Sequence, residues 1–279
     1  VTRRIRVREV LVGVEGLALL RQLFEGDDEA ADARLAEVRQ IIDGTPDAAL
    51  DVPEFAVTDG YGRWSDTYDG PGNPLIAVEQ PAVWSLLATS PTGVALDVAC
   101  GTGRHTRRLA DLGHRVIGVD TTPEMLRLAR AAVPEAELVR GDLSRLPIRS
   151  AGVDLAVCAL ALDHSPSLGE PVRELARVVR PGGRVVISDL HPVLSAIGAA
   201  AFFRAADGAY GFVRNHRHPH SEYLDAFAEA GLEVRRCLEP RYSPNEVELQ
   251  GIAAGHVPDA AAAAYLGLTA ALVWDLVRR

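Results

Sequence analysis

The sequence predicts an α/β fold built on a doubly wound, mostly parallel sheet, and three observations carry that prediction. A buried strand over residues 94–98 runs straight into Cys100-Gly101-Thr102-Gly103, and Thr106, Leu109, Ala110 and Leu112 follow at helical spacing. The same strand and turn return over residues 115–120, where the strand ends in Asp120, and again over residues 137–143, where Gly141-Asp142-Leu143 closes a short strand. Three strand ends thus line up Gly101 and Gly103, Asp120 and Asp142 along one rim, which is where open α/β sheets bind ligands. Glycine suits the first turn because backbone passing close under a ligand has no room for a Cβ. A carboxylate about 20 positions on can accept hydrogen bonds from both hydroxyls of a ribose.

The elements follow in order. Residues 1–50 read as a helical extension: Val10, Leu11, Val14, Leu17, Ala18, Leu20 and Phe24 form one apolar stripe, and Leu35, Val38, Ile41 and Ile42 form a second beyond an acidic break. Arg3, Arg4, Arg6 and Arg8 read as a solvated start. The stripes must be buried on the rest of the chain or on a second copy, so a homodimer through these helices is one expectation. Residues 51–80 turn aromatic and rich in glycine and proline, with Tyr61, Trp64 and Tyr68 at their centre. They read as a lid with little regular structure, its aromatics either covering a ligand or anchoring the segment to the core.

From residue 81 to 279 the main domain is expected. A helix at 79–87 leads into the first strand, and Thr122 and Pro123 punctuate the start of the helix after Asp120, with Met125, Leu126, Leu128 and Ala129 facing inward. Residues 153–158 are a strand apolar enough to be covered on both faces. A helix at 168–179 stops at Pro181-Gly182-Gly183, and the fifth strand covers 185–188. Residues from about 192 to 218 form an insertion in which Phe202, Phe203 and Tyr210 are too apolar for an ordinary loop, so it reads as a cover for the acceptor. A helix at 221–230, a strand at 232–238, helix over 244–265 and a last strand at 272–277 complete the chain.

Composition narrows the function. With 279 residues, 48% hydrophobic content and a net charge of −9, the chain can bury its own core but lacks the basic footprint of a nucleic-acid binder. All 29 basic residues are arginine, which removes Schiff-base, P-loop and general-base lysines. Cys100, Cys158 and Cys237 have neither disulfide nor metal-ligand spacing, so no metal is expected and a reducing cytoplasm fits. No apolar run approaches the roughly 20 residues of a membrane span.

At D-V-A-C-G-T-G-R (97–104), G-V-D-T-T-P-E-M-L (118–126), G-D-L-S-R-L-P (141–147) and R-V-V-R-P-G-G-R (177–184) the chain closely resembles the class I S-adenosylmethionine-dependent methyltransferases of small-molecule type. The resemblance covers about residues 58–279. It implies a Rossmann-like sheet of seven strands, the last antiparallel beside the sixth, with S-adenosyl-L-methionine as cofactor and S-adenosyl-L-homocysteine as product. It places the turn of Asp97, Ala99, Gly101 and Gly103 under the methionine part and Asp120 and Thr121 at the ribose; Met125, close in sequence to Asp120, either lies against the adenosine or packs in the core. Asp142 would face the adenine amino group with Leu143 beside the ring, and the backbone at Ala159 would meet the methionine end. Tyr61 and Tyr68 would close over the cofactor, and Trp64, Phe202, Phe203 and Tyr210 would wall the acceptor. Ala99 stands where the family most often has glycine. A nicotinamide enzyme would want glycine at Thr106.

Methyl transfer from a sulfonium needs alignment and exclusion of water, and a base when the acceptor still carries its proton. His164, His191, His216, His218 and His220 are the candidates, all after the fourth or fifth strand, and His191, His218 and His164 are the three singled out. Two other outcomes share the fold: the same cofactor used for non-methylating chemistry such as cyclisation, and a non-catalytic cofactor-binding protein.

Overall fold

A computed structural model describes residues 1–46, 48–70 and 72–279; Asp47 and Pro71, the latter inside the expected lid, lie outside the described residues. The chain opens with strand β1 (Thr2–Arg6), helices α1 (Val7–Gln22) and α2 (Asp28–Gly44) and strand β2 (Ala49–Phe55). It then passes through α3 (Val57–Trp64), a 3-10 turn at Ser65–Thr67 and α4 (Pro74–Leu87). The doubly wound part runs β3 (Val94–Val98), α5 (Arg104–Asp111), β4 (Arg115–Asp120), α6 (Pro123–Ala132), β5 (Glu137–Arg140), β6 (Val153–Ala159), α7 (Gly169–Val178) and β7 (Val179–Leu190). After α8 (Pro192–Ala196), the hairpin β8 (Ala201–Arg204) and β9 (Tyr210–Val213) precedes α9 (His220–Glu229) and β10 (Leu232–Leu238). Helices α10 (Pro244–Val247), α11 (Ile252–His256) and α12 (Pro258–Tyr265) and strand β11 (Ala271–Arg278) end the chain.

The main sheet has the order β10-β11-β7-β6-β3-β4-β5. The five strands from β7 to the edge strand β5 are parallel, and β11 runs antiparallel to both β7 and β10. The chain winds from β3 outward through β4 to β5, then returns to β6 on the other side of β3, so the switch point lies at the ends of β3 and β6. Covered on both faces, β3 and β6 are apolar almost throughout, and β7 is buried from Gly183 to Leu190. One face packs Leu168, Val172 and Leu175 with Tyr223 and Phe227 against Leu96, Ile187 and Trp274. The other packs Val83, Leu86 and Leu87 with Leu109 against Ala95, Leu155 and Val186.

A second sheet, order β1-β2-β9-β8, was outside the sequence reading. Residues 2–6 are not a frayed start but a strand antiparallel to β2. The segment expected to be irregular contains β2 and α3, and β2 pairs in parallel with β9 through Glu54↔Phe212 and Phe55↔Val213. The insertion is therefore a hairpin added to the N-terminal segment, with Phe202 opposite Phe212. Part of the first stripe is buried within the chain, where Leu11, Val14 and Ala18 pack with Ala260, Ala261 and Ala264 of α12, while Leu20 at 72% and Phe24 at 94% stay exposed. The single helix expected over 244–265 is three short ones, broken at Gly251, where φ is +54°, and restarted at Pro258. Among the described residues no helix is long and apolar enough to cross a membrane.

Candidate active site

The carboxyl ends of β3, β4, β5 and β6 open into a cleft of about 680 Å³. Its floor is the turn after β3. Gly101 takes φ +54° and Gly103 φ +93°; a Cβ on Gly103 would sit 3.3 Å from Ala129, whereas one on Gly101 would meet no atom of the described residues within 4 Å. Bare backbone at Gly101 therefore faces space of ligand size. Ala99 and Leu160, at the ends of the two switch-point strands, also have positive φ, 55° and 54°. Left-handed backbone at non-glycine residues costs about 1–3 kcal/mol and concentrates at functional sites.

Asp120 ends β4 at 7% exposure. Gly101 N–H donates to its Oδ2 at 2.8 Å and Thr122 N–H to its Oδ1 at 2.8 Å, which couples the glycine turn to the second strand and leaves each oxygen a further acceptor position. Burial pushes its carboxyl up, opposed by those two N–H groups. Asp142 accepts from the Ser144 N–H at 2.7 Å and lines the cleft with Leu143, Thr121, Met125, Ala99 and Ala159. Asp97 and Gly103 do not line it. Asp97 is buried beneath the turn, accepting from the Thr106 hydroxyl at 2.6 Å, so the side chain at 106 supports the turn from below.

Over this floor lie α3 and the turn after it. Tyr61 and Tyr68 line the cleft, and Trp64 stacks on Tyr61 at 5.5 Å and meets Tyr68 at 5.0 Å. Thr102 donates from its hydroxyl to Asp69 at 3.0 Å and ties this roof to the glycine turn. Burial pushes the Tyr61 phenol well above its ordinary value and Tyr68 up to about 12, so both remain protonated. Of the expected acceptor walls, Trp64 and Phe203 form a layer behind Tyr61, stacked at 5.4 Å. Phe202 and Tyr210 are stacked on one another at 5.5 Å, with Phe202 41% exposed, and neither lines the cleft.

The three histidines separate. His164 lines the cleft; His191 and His218 do not. His191 caps α8, its Nδ1 accepting from the Val193 N–H at 3.2 Å, which leaves the proton on Nε2, 3.0 Å from Glu239. His191, His220 and Glu239 have their ligand atoms within 4.8 Å of one another, but the tautomer that caps α8 offers a cation no lone pair at Nε2. His218 faces two acceptors, the Ser165 carbonyl at 2.9 Å and Glu222 at 2.9 Å, and so joins the loop after β6 to α9. The sequence reading missed Val57, Thr58, Ser165, Ser167, Glu170 and Arg173, which complete the cleft wall. The turn-forming text Ser165-Pro166-Ser167 at a strand's carboxyl end was the available signal.

A glycine turn under a cleft, a carboxylate at the end of the next strand and an aromatic roof meet at the switch point, where open α/β sheets bind ligands. Residues 96–187 match the family model described as a methyltransferase domain. A bifunctional biotin-biosynthesis protein of Cellvibrio japonicus is 33% identical over 184 residues, covering 64% of this chain and 37% of that protein, so the chain spans well under half the length of that relative. A malonyl-[acyl-carrier protein] O-methyltransferase of Serratia marcescens is 28% identical over 218 residues, 74% of this chain and 81% of the relative. An S-adenosylmethionine-dependent methyltransferase from Mesorhizobium loti has the same fold, with a TM-score of 0.53 and 23% identity over 70% of this chain and 96% of that one. Residues 96–187 thus match a methyltransferase domain, and the chain shares the fold of S-adenosylmethionine-dependent methyltransferases.

Proposed function

We propose that this protein transfers the methyl group of S-adenosylmethionine in line to an oxygen, nitrogen or carbon atom of a small molecule, a secondary metabolite handled in the cytoplasm. The observation that carries the reading is the joined floor of the cleft, where the Gly101 N–H and the Asp120 carboxylate are locked together beneath Tyr61 and Tyr68. When bound, the cofactor supplies an electrophilic methyl on a sulfonium. The chain's part is to hold and to exclude water. Asp120 receives the ribose hydroxyls, Asp142 and Leu143 flank the adenine, Met125 packs on the adenosine, and the Gly101 turn with Ala99 and Ala159 carries the methionine part. The roof of Tyr61 and Tyr68 keeps water from the reacting centre. Acidic groups at the rim, Asp120, Asp142 and Glu170, suit a cationic donor.

Calorimetry tests the cofactor: S-adenosylmethionine and S-adenosylhomocysteine should bind, and NAD should not. Tighter binding of NAD would overturn the reading. Mass spectrometry then tests the reaction by the gain of one methyl group on a candidate metabolite together with release of S-adenosylhomocysteine. The O-methyltransferase relative puts carboxylates among the acceptors to screen. Cofactor turnover without methyl gain would replace transfer by a different chemistry.

A further inference from the structure

The Tyr61 hydroxyl lies 2.7 Å from His164 Nε2, and both side chains line the cofactor cleft. The other ring nitrogen, Nδ1, lies 2.9 Å from the Arg214 carbonyl, which only accepts. Nδ1 therefore carries the proton of the neutral ring, Nε2 presents a lone pair, and the phenol donates to it. The rings meet edge to face at 5.3 Å, which fixes their relative orientation. Beside them, Asp163 Oδ1 is buried without a hydrogen-bond partner among the described residues, 3.8 Å from His164 Nε2. An unpartnered buried carboxylate oxygen is costly unless a donor or a positive charge comes to it.

Given the methyl-transfer reading, on which the inference rests, we infer that Tyr61 and His164 form a proton relay that deprotonates a hydroxyl or amine acceptor. The acceptor's X–H bond breaks and its electron pair forms the bond to the incoming methyl group, while the donor's carbon–sulfur pair stays on sulfur. The acceptor's proton passes to the Tyr61 oxygen, and the phenol's own proton passes to His164 Nε2. The resulting imidazolium donates from Nδ1 to the Arg214 carbonyl and has Asp163 as its counter-charge. The other groups around the ring leave that role to Asp163. Asn215 holds its Oδ2 at 2.6 Å, Asp189 on β7 takes the Tyr223 hydroxyl at 2.7 Å, and the Arg214 guanidinium is engaged by Glu54 at 2.7 Å. His216 reaches Asp163 through its backbone N–H, and burial lowers the proton affinity of its ring. Tyr61, expected from the sequence only to cover the cofactor, thereby becomes a catalytic residue. The remote segment at Arg214 becomes the element that sets the base's tautomer.

The first arm of the test needs no acceptor. In the full chain with S-adenosylhomocysteine bound, ¹⁵N resonances of His164 should show a protonated Nδ1 and a hydrogen-bonded, unprotonated Nε2, and Tyr61→Phe should shift the Nε2 signal alone. A proton on Nε2, or no response to Tyr61→Phe, would overturn the relay. The second arm uses 4-hydroxybenzoate, which offers a protonated phenol and an ionised carboxylate on one skeleton, with methyl ether and methyl ester counted separately. Tyr61→Phe and His164→Gln should each lower ether formation about 10²-fold or more relative to ester formation on the same sample, the double variant no further. Equal loss of both products, or undiminished ether formation, would sink the proposal. Cofactor affinity measured on the same samples reports separately on the methyl-transfer reading.

Discussion

At Asp120 a single side chain serves both the fold and the proposed site, since its two oxygens take N–H groups from Gly101 and Thr122 while it ends a central strand. Asp120→Ala should weaken S-adenosylmethionine binding by about 1–3 kcal/mol, because the two N–H groups and the ribose hydroxyls all lose an acceptor. Calorimetry showing no loss would remove Asp120 from the site. Residues of this kind were legible in the sequence because their chemistry and spacing are local: Gly101, Asp120 and Asp142 each sit at the end of a short apolar run. His164 was legible only as one of three. What separates it from His191 and His218 is which groups face its nitrogens, the Tyr61 hydroxyl and the Arg214 carbonyl, and those partners are 103 and 50 positions away. No local pattern encodes such a choice.

The roof over the cleft shows how an element can be present in the sequence and still be misread. Val57, Gly60, Tyr61 and Trp64 have the spacing of one helix face, but two glycines and the flanking turns made the segment look irregular. Gly60 is there for contact: a Cβ on it would lie 2.3 Å from Val213 Cγ2 on β9, so α3 docks on the second sheet through bare backbone. That sheet was invisible for a related reason. Strand β1 is mostly arginine, β2 contains Pro53, and the pairing of β2 with β9 joins residues more than 150 positions apart. Helix α3 rests on this small sheet and on aromatic contacts, so amide exchange over residues 57–68 should be faster than in the main sheet without cofactor and should slow when S-adenosylmethionine is added. Gly60→Ala should speed exchange there in both conditions by forcing the helix off β9. Exchange unaffected by cofactor would mean that the roof is a fixed wall.

Across the whole molecule, two features tie the parts together. The first is the cluster of α1 with α12, through which the N-terminal helix completes a core that includes Leu190 and Tyr242. Leu11→Ala should therefore destabilise the fold by about 2–5 kcal/mol while leaving cofactor affinity of the folded protein unchanged. A loss near zero in a denaturant titration would show α1 to be an appendage. The second is Glu79 of α4, fully buried between the glycine turn and the main sheet. Arg104 pairs with its Oε2 at 2.8 Å from the start of α5, and the Ser188 hydroxyl donates to its Oε1 at 2.6 Å from β7. Burial alone would push this carboxyl up, but Arg104, His105 and Ser188 together hold it at about 2, below its ordinary 4.5. The sign follows from which state binds the proton more tightly. Below pH 4.5 the unfolded chain takes up the proton while the folded one resists, so the stabilisation is complete above pH 4.5 and is lost as pH falls toward 2. A depression of this size corresponds to about 3 kcal/mol. Denaturant titrations from pH 6 to pH 2 should show wild-type stability falling by about that much more than Glu79→Gln in this window. Arg104→Met should instead lower stability at neutral pH by about 3–5 kcal/mol, because it strands a buried charge between the cofactor turn and the sheet. Parallel acid profiles for wild type and Glu79→Gln would show that the carboxylate's partners do not depress it, and that α4, the glycine turn and β7 are joined by packing alone.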